Sequence, residues 1–80
     1  MKNGVPSFEN AVRGNVRAEI ARHGFRMDNV AESIGLSKAR LSSRLNGHTS
    51  FSLKELFRLA DVLGVGNVGD LLPSLSEVEL

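Results

Sequence analysis

The side chains best equipped for chemistry in this 80-residue sequence stand together in the run Ser37-Lys38-Ala39-Arg40-Leu41-Ser42-Ser43-Arg44-Leu45-Asn46. On a helical wheel turning about 100° per residue, Leu41 and Leu45 fall on one side. Ala39, Arg40 and Ser43 point the opposite way, with Lys38 and Ser42 on one flank and Arg44 on the other. A face of small residues and three cations lacks the large apolar anchors that protein interfaces favour. It suits the major groove of a nucleic-acid duplex, where small side chains permit close approach and Arg or Lys pairs with guanine edges. Ser37 is placed to cap this helix, and the capped end offers a positive dipole to phosphate. The same composition also fits a plain solvated helix face, so the elements around it have to decide.

The glycine turn after this run leads to His48-Thr49-Ser50, where two hydroxyls and an imidazole fit a phosphate clamp or an ordinary polar loop equally well. His23 stands at the end of an earlier helical stretch and reads as a partner for the helix dipole. With two histidines 25 positions apart and no cysteine, the chain has no recognisable metal site, and no Gly-rich phosphate loop or nucleophile–base pair is visible. An enzyme is not expected, nor is a cofactor, a metal or a small-molecule ligand.

The elements read as short helices throughout. Ser7 caps a first helix that runs to about His23 and stops at Gly24, with Phe8, Val12, Val16 and Ile20 as its apolar stripe. Gly14 inside it costs about 1 kcal/mol relative to alanine, by local tolerance or for close packing. A second helix begins near Asp28 as cap and ends at Gly35, a position suited to a sharp turn with positive φ. A third runs from Ser37 to about Leu45 and is stopped by Asn46-Gly47. Ser52 with Glu55 forms a capping box for a fourth. Its apolar positions Leu53, Leu56, Phe57, Leu59, Ala60, Val62 and Leu63 are too many for one stripe, so this helix should be the most buried. A fifth, about Val68 to Leu72, is closed by Pro73. The expected fold is all-α, a compact bundle of about five short helices.

Length allows one domain, residues 1–73, followed by a C-terminal tail, residues 74–80. The 41% hydrophobic share suffices for one small core, and no apolar run approaches the length of a membrane span. Without cysteines or a signal-like apolar stretch, a soluble, cytoplasmic protein is expected. All ten Lys and Arg lie in residues 1–60 with five of the acids, whereas the last twenty residues carry four acids and no base. A basic body with an acidic end points to one face for a polyanion.

The segment Met27–Asn46, MDNVAESIGLSKARLSSRLN, joins two helices through Gly35 with the small Ala31 four residues before it. Ala31 lets the partner helix cross closely, while Ile34, Leu36 and Leu41 fill the angle between the helices. Together GFRMDNVAESIGLSKARLSSRLNG and FSLKELFRLADVLGV make residues 24–71 resemble the repressor/Cro-type (lambda-repressor-like) helix-turn-helix family of phage and bacterial transcriptional regulators. The resemblance implies sequence-specific binding of a double-stranded DNA operator, with bases read by Lys38 and Ala39, then Ser42 and Ser43, and with Arg40 reaching bases or phosphates. It implies phosphate contacts at Asn46 and, at the groove edge, Arg44. Two departures stand out. Met27 occupies a position where the family often has a phosphate-binding Gln, and Arg26 stands where a Thr or Ser cap is common. Phosphate anchoring there falls to Arg26 or to backbone N–H groups. The expected phosphate set is therefore Arg26, Ser37, Arg44, Asn46, His48 and Thr49.

The resemblance also implies a homodimer on a two-fold site, for which the fifth helix and tail (Val68, Leu71, Leu72, Leu75, Val78 and Leu80) offer an apolar surface. Those residues could equally pack on their own chain. A repressor or Cro-like switch protein is the leading expectation, and an antitoxin-like protein-interaction module on the same fold is the alternative.

Overall fold

A computed structural model describes residues 7–66 and 68–73. Within them the chain forms α1 (Phe8–His23), α2 (Met27–Ser33), α3 (Lys38–Leu45), α4 (Leu53–Val62) and a single 3₁₀ turn, Val68–Leu71. The expected fifth helix is thus one turn of 3₁₀, ending just before the Leu72-Pro73 stop. The tail, with its expected contacts at Leu75, Val78 and Leu80, lies outside the described residues.

Local chemistry starts three of the helices. Ser7, Ser37 and Ser52 are extended residues whose hydroxyls accept the N–H of Asn10, Arg40 and Glu55, each at 3.1 Å. Asp28 does not cap α2, because Arg26 is the last extended residue and Asp28 already lies inside the helix. Its carboxylate accepts the Asn29 N–H at 2.9 Å and is clasped by the Arg26 guanidinium at 3.1 Å. Arg26 offers no side-chain cap.

All four helices stop by the same device. Phe25 N–H returns to Ile20 O (3.2 Å), Leu36 to Ala31 O (2.9 Å), His48 to Ser43 O (2.9 Å) and Val65 to Ala60 O (3.1 Å). Each reversal follows a glycine of positive φ, which is the backbone conformation such an ending needs. At Gly35, φ is +80°, and the turn it makes swings Leu36 back against the core before α3 begins. Gly14 by contrast is exposed, and a Cβ there would meet nothing within 4 Å. Close packing therefore does not account for it.

The core takes Val12, Val16 and Ile20 from α1, Val30, Ala31 and Ile34 from α2 and its end, Leu41 and Leu45 from α3, and Leu56, Leu59, Ala60 and Leu63 from α4 and its end. Ala31 and Ile34 are each 1% exposed at the α2–α3 crossing. Leu71 is fully buried and closes the end of the bundle, with Asn15 Nδ2 donating to its carbonyl at 3.0 Å. That corrects its expected role at a dimer surface, since Leu71 has no area to give, and Val68 and Leu72 are also packed against the core. The fourth helix is less enclosed than its composition implies. Leu53 is 65% exposed and Phe57 55%, because a helix packed along one side buries only that side. Among the described residues no helix is long and apolar enough to cross a membrane.

Candidate nucleic-acid interface

The outer side of α3 is set by what its inner side buries. Leu41 and Leu45 are locked in the core, which leaves Lys38, Ala39, Arg40 and Ser42 exposed along one edge of the molecule. Ser43 is half-buried, with its Oγ 3.4 Å from Thr49 Oγ1. No large apolar side chain stands on this edge of α3. The helix N-terminus lies at the start of the same run, with the Arg40 N–H taken by the Ser37 hydroxyl.

Arg44 does not lie free at a groove edge. Its Nε donates to Glu55 Oε1 at 2.8 Å and its Nη1 to Arg40 O at 3.2 Å, with only 16% of the side chain exposed. The expectation failed because Glu55, eleven residues on, comes alongside only when α4 packs beside α3. Burial of Glu55 works to raise its carboxyl pKa. The hydrogen bond from Arg44, that from the Ser52 N–H and the Arg44 charge outweigh it, so the group lies below the ordinary Glu value. Arg44 is thus a positioning residue that fixes the roll of α3.

The far end of α3 is held by α1. Arg17 Nη2 donates to Leu45 O at 3.1 Å and to Asn46 Oδ1 at 2.8 Å, a cation on the free carbonyl end of the helix. Asn46 Nδ2 in turn donates to Ser42 Oγ at 3.3 Å. Arg13, one turn before Arg17, lies over the next loop: a Cβ on Gly47 would stand 3.3 Å from its guanidinium carbon. The loop is tied down again where Ser50 Oγ donates to Glu9 Oε2 at 2.7 Å. His48 and Thr49 are exposed between these anchors. Arg13 and Arg17 were missed in the sequence, although their i, i+4 spacing beside buried Val16 marks a cationic row bordering the core stripe.

At the other end, Arg26 and Asp28 form an exposed pair that holds the Asp28 carboxyl below its ordinary pKa, chiefly through the Arg26 hydrogen bond. Met27 is half-buried and packs against the core, so this position serves packing. The sequence-predicted residues therefore divide. Lys38, Ala39, Arg40 and Ser42 share one exposed edge with Ser37, while Asn46, His48 and Thr49 follow at its end. Arg26 stands apart at the start of α2, and Arg44 turns inward.

A short helix laid against a second through a glycine turn, with cations and small polar groups outward, defines a helix-turn-helix domain. Residues 16–66 match the family described as helix-turn-helix, and the chain belongs to that family, in its Cro/C1-type branch. Its function is accordingly of the DNA-binding transcription-regulator kind. No curated protein matches the chain.

Proposed function

We propose that the chain is a sequence-specific repressor, akin to the Cro-like switch proteins of phage and bacteria, that acts by occupying a double-stranded operator. The observation that carries this reading is the exposed edge of α3, where Lys38, Ala39, Arg40 and Ser42 stand out with no apolar anchor among them. The helix enters the major groove by this edge, and Lys38 and Arg40 pair with base edges. Ala39 and Ser42 allow close approach, with Ser43 at the margin. Phosphates are met by the capped N-terminus at Ser37, by Asn46, His48 and Thr49, and by Arg13 and Arg17 behind them. Arg26 meets a phosphate at the start of α2 by exchanging Asp28 for it. Regulation is by occupancy and not by catalysis. Two copies on a two-fold site double the sequence read by one short helix.

Selection of bound duplexes from a random pool tests this reading. One enriched sequence, bound with an affinity that falls steeply as salt rises, is the expected result. A pool that stays random, or an affinity indifferent to salt, overturns it and favours a protein-interaction role on the same fold.

A further inference from the structure

A serine hydroxyl both donates and accepts, so by itself Ser42 could read either kind of base edge. Here the choice is made behind it. Arg17 Nη2 donates to Asn46 Oδ1 at 2.8 Å while also holding Leu45 O at 3.1 Å. A guanidinium has no acceptor, so the amide atom turned to it is the oxygen, and the amide nitrogen is left facing α3. That nitrogen lies 3.3 Å from Ser42 Oγ and can only donate, so the hydroxyl oxygen accepts.

The hydroxyl hydrogen remains to be placed. A serine inside a helix can turn it back to the carbonyl four residues earlier, as Ser33 does to Asn29 O at 2.9 Å. Among the described residues Ser42 donates no such bond. Ser43 next to it differs, because its partner at 3.4 Å is the Thr49 hydroxyl, which is as able to accept as to donate. Ser42 thus stands on the exposed edge of α3 with a lone pair engaged and its hydrogen free.

We propose that Asn46 is a specificity-determining positioning residue: it makes Ser42 a hydrogen-bond donor toward the major groove, so that Ser42 selects a base edge that accepts. This deepens the operator reading above and rests on it. In the major groove guanine (N7 and O6) and thymine (O4) present only acceptors, whereas cytosine presents only the N4 donor. Against guanine the hydroxyl accepts from Asn46 and donates to the base, and each bond strengthens the other. Against cytosine its hydrogen is shut away from water facing another donor, or the Asn46 bond breaks. A polar group left unpaired in this way costs more than a made bond contributes. The base facing Ser42 is therefore guanine or thymine, and cytosine is rejected.

The test is selection of duplexes from a random pool by the full chain, then competition between the enriched operator and versions changed one base pair at a time. At one position guanine or thymine should outcompete cytosine about tenfold. Ser42→Ala should erase the guanine-over-cytosine preference there and leave the other positions intact. Asn46→Asp keeps the shape and the Arg17 bond but turns the group facing Ser42 into an acceptor. The hydroxyl then donates to the new carboxylate and offers its lone pairs to the groove. Every duplex should bind more weakly, because a negative charge is added near phosphate, but at that position alone the preference should reverse to cytosine. Adding Ser42→Ala to Asn46→Asp should erase the reversal; a reversal that persists is made by the carboxylate itself and overturns the proposal. Identical base preferences for the unaltered chain and Asn46→Asp overturn it too, and leave the operator reading standing. A pool that the unaltered chain leaves random overturns both.

Discussion

Arg44 and Glu55 join the two helices that matter most to the site through one atom: Glu55 Oε1 accepts Arg44 Nε–H at 2.8 Å and the Ser52 N–H at 3.0 Å. The carboxylate that closes the capping box of α4 is also the anchor that sets the roll of α3. Both side chains are largely buried, 16% and 14% exposed, so removing either leaves its partner's polar groups short of a bond.

Glu55→Ala should therefore cost about 1–3 kcal/mol, because the bond to the Ser52 N–H and the interhelical tie are lost together, while the Ser52 hydroxyl still caps the helix. Denaturant unfolding measures this directly. Ser52→Ala removes only the cap and should cost about 1 kcal/mol. Equal losses for the two would show that the tie to Arg44 contributes nothing.

The same pair predicts an acid limb in stability. Glu55 has a folded-state pKa below its unfolded value. Its contribution is therefore complete above the ordinary Glu value, about 4.3, and is lost as pH falls through the lower folded value. Between pH 5 and 8 this pair should leave stability flat, and below about pH 4 it should drop. Glu55→Gln should flatten that limb in a pH series of thermal unfolding. An unchanged limb would assign the acid sensitivity to other carboxylates.

Much of this fold was legible in the sequence because its signals act locally. A serine before an apolar period, or a glycine after one, decides a helix end through atoms within a few residues, and so Ser7, Ser37, Ser52, Gly24, Gly35 and Gly47 could be read directly. Asp28 misled because a capping side chain counts only when its own backbone is extended, and here the extended residue is Arg26. Leu53 and Phe57 misled because hydrophobicity says that a side chain gains from burial, not that a neighbour stands on its side. At the site, the outward edge of α3 followed from Leu41 and Leu45. Arg44 and Arg17 could not be placed that way, since their partners lie 11 and 28 residues distant and meet them only through packing.

Two glycines should respond oppositely to alanine. Gly14 lies in the interior of α1 with open space around its Cα, so Gly14→Ala should stabilise by about 0.5–1 kcal/mol. Gly35 sits at φ +80°, and a Cβ there would also stand 3.2 Å from Arg58 Nη1. Gly35→Ala should destabilise by about 1 kcal/mol or more through the backbone alone. Thermal melts of both single variants decide the matter, and a stabilised Gly35→Ala would mean that the turn can be made another way.

The reading edge can be separated from the phosphate edge by the salt dependence of operator affinity. Arg40→Ala should weaken the preferred duplex by about 1–3 kcal/mol while barely touching random duplexes, as loss of a base contact does. Arg17→Ala should weaken preferred and random duplexes alike and lower the slope of log affinity against log salt by about 1, as loss of a phosphate contact does. It should also cost some stability, because Arg17 holds the Leu45 carbonyl and Asn46 at the end of α3. Among the described residues the Arg40 side chain makes no such bond, so Arg40→Ala should leave the unfolding midpoint unchanged. If Arg40→Ala lowered affinity for every duplex equally, Arg40 would belong with the phosphate contacts, and base reading would rest on Lys38 and Ser42.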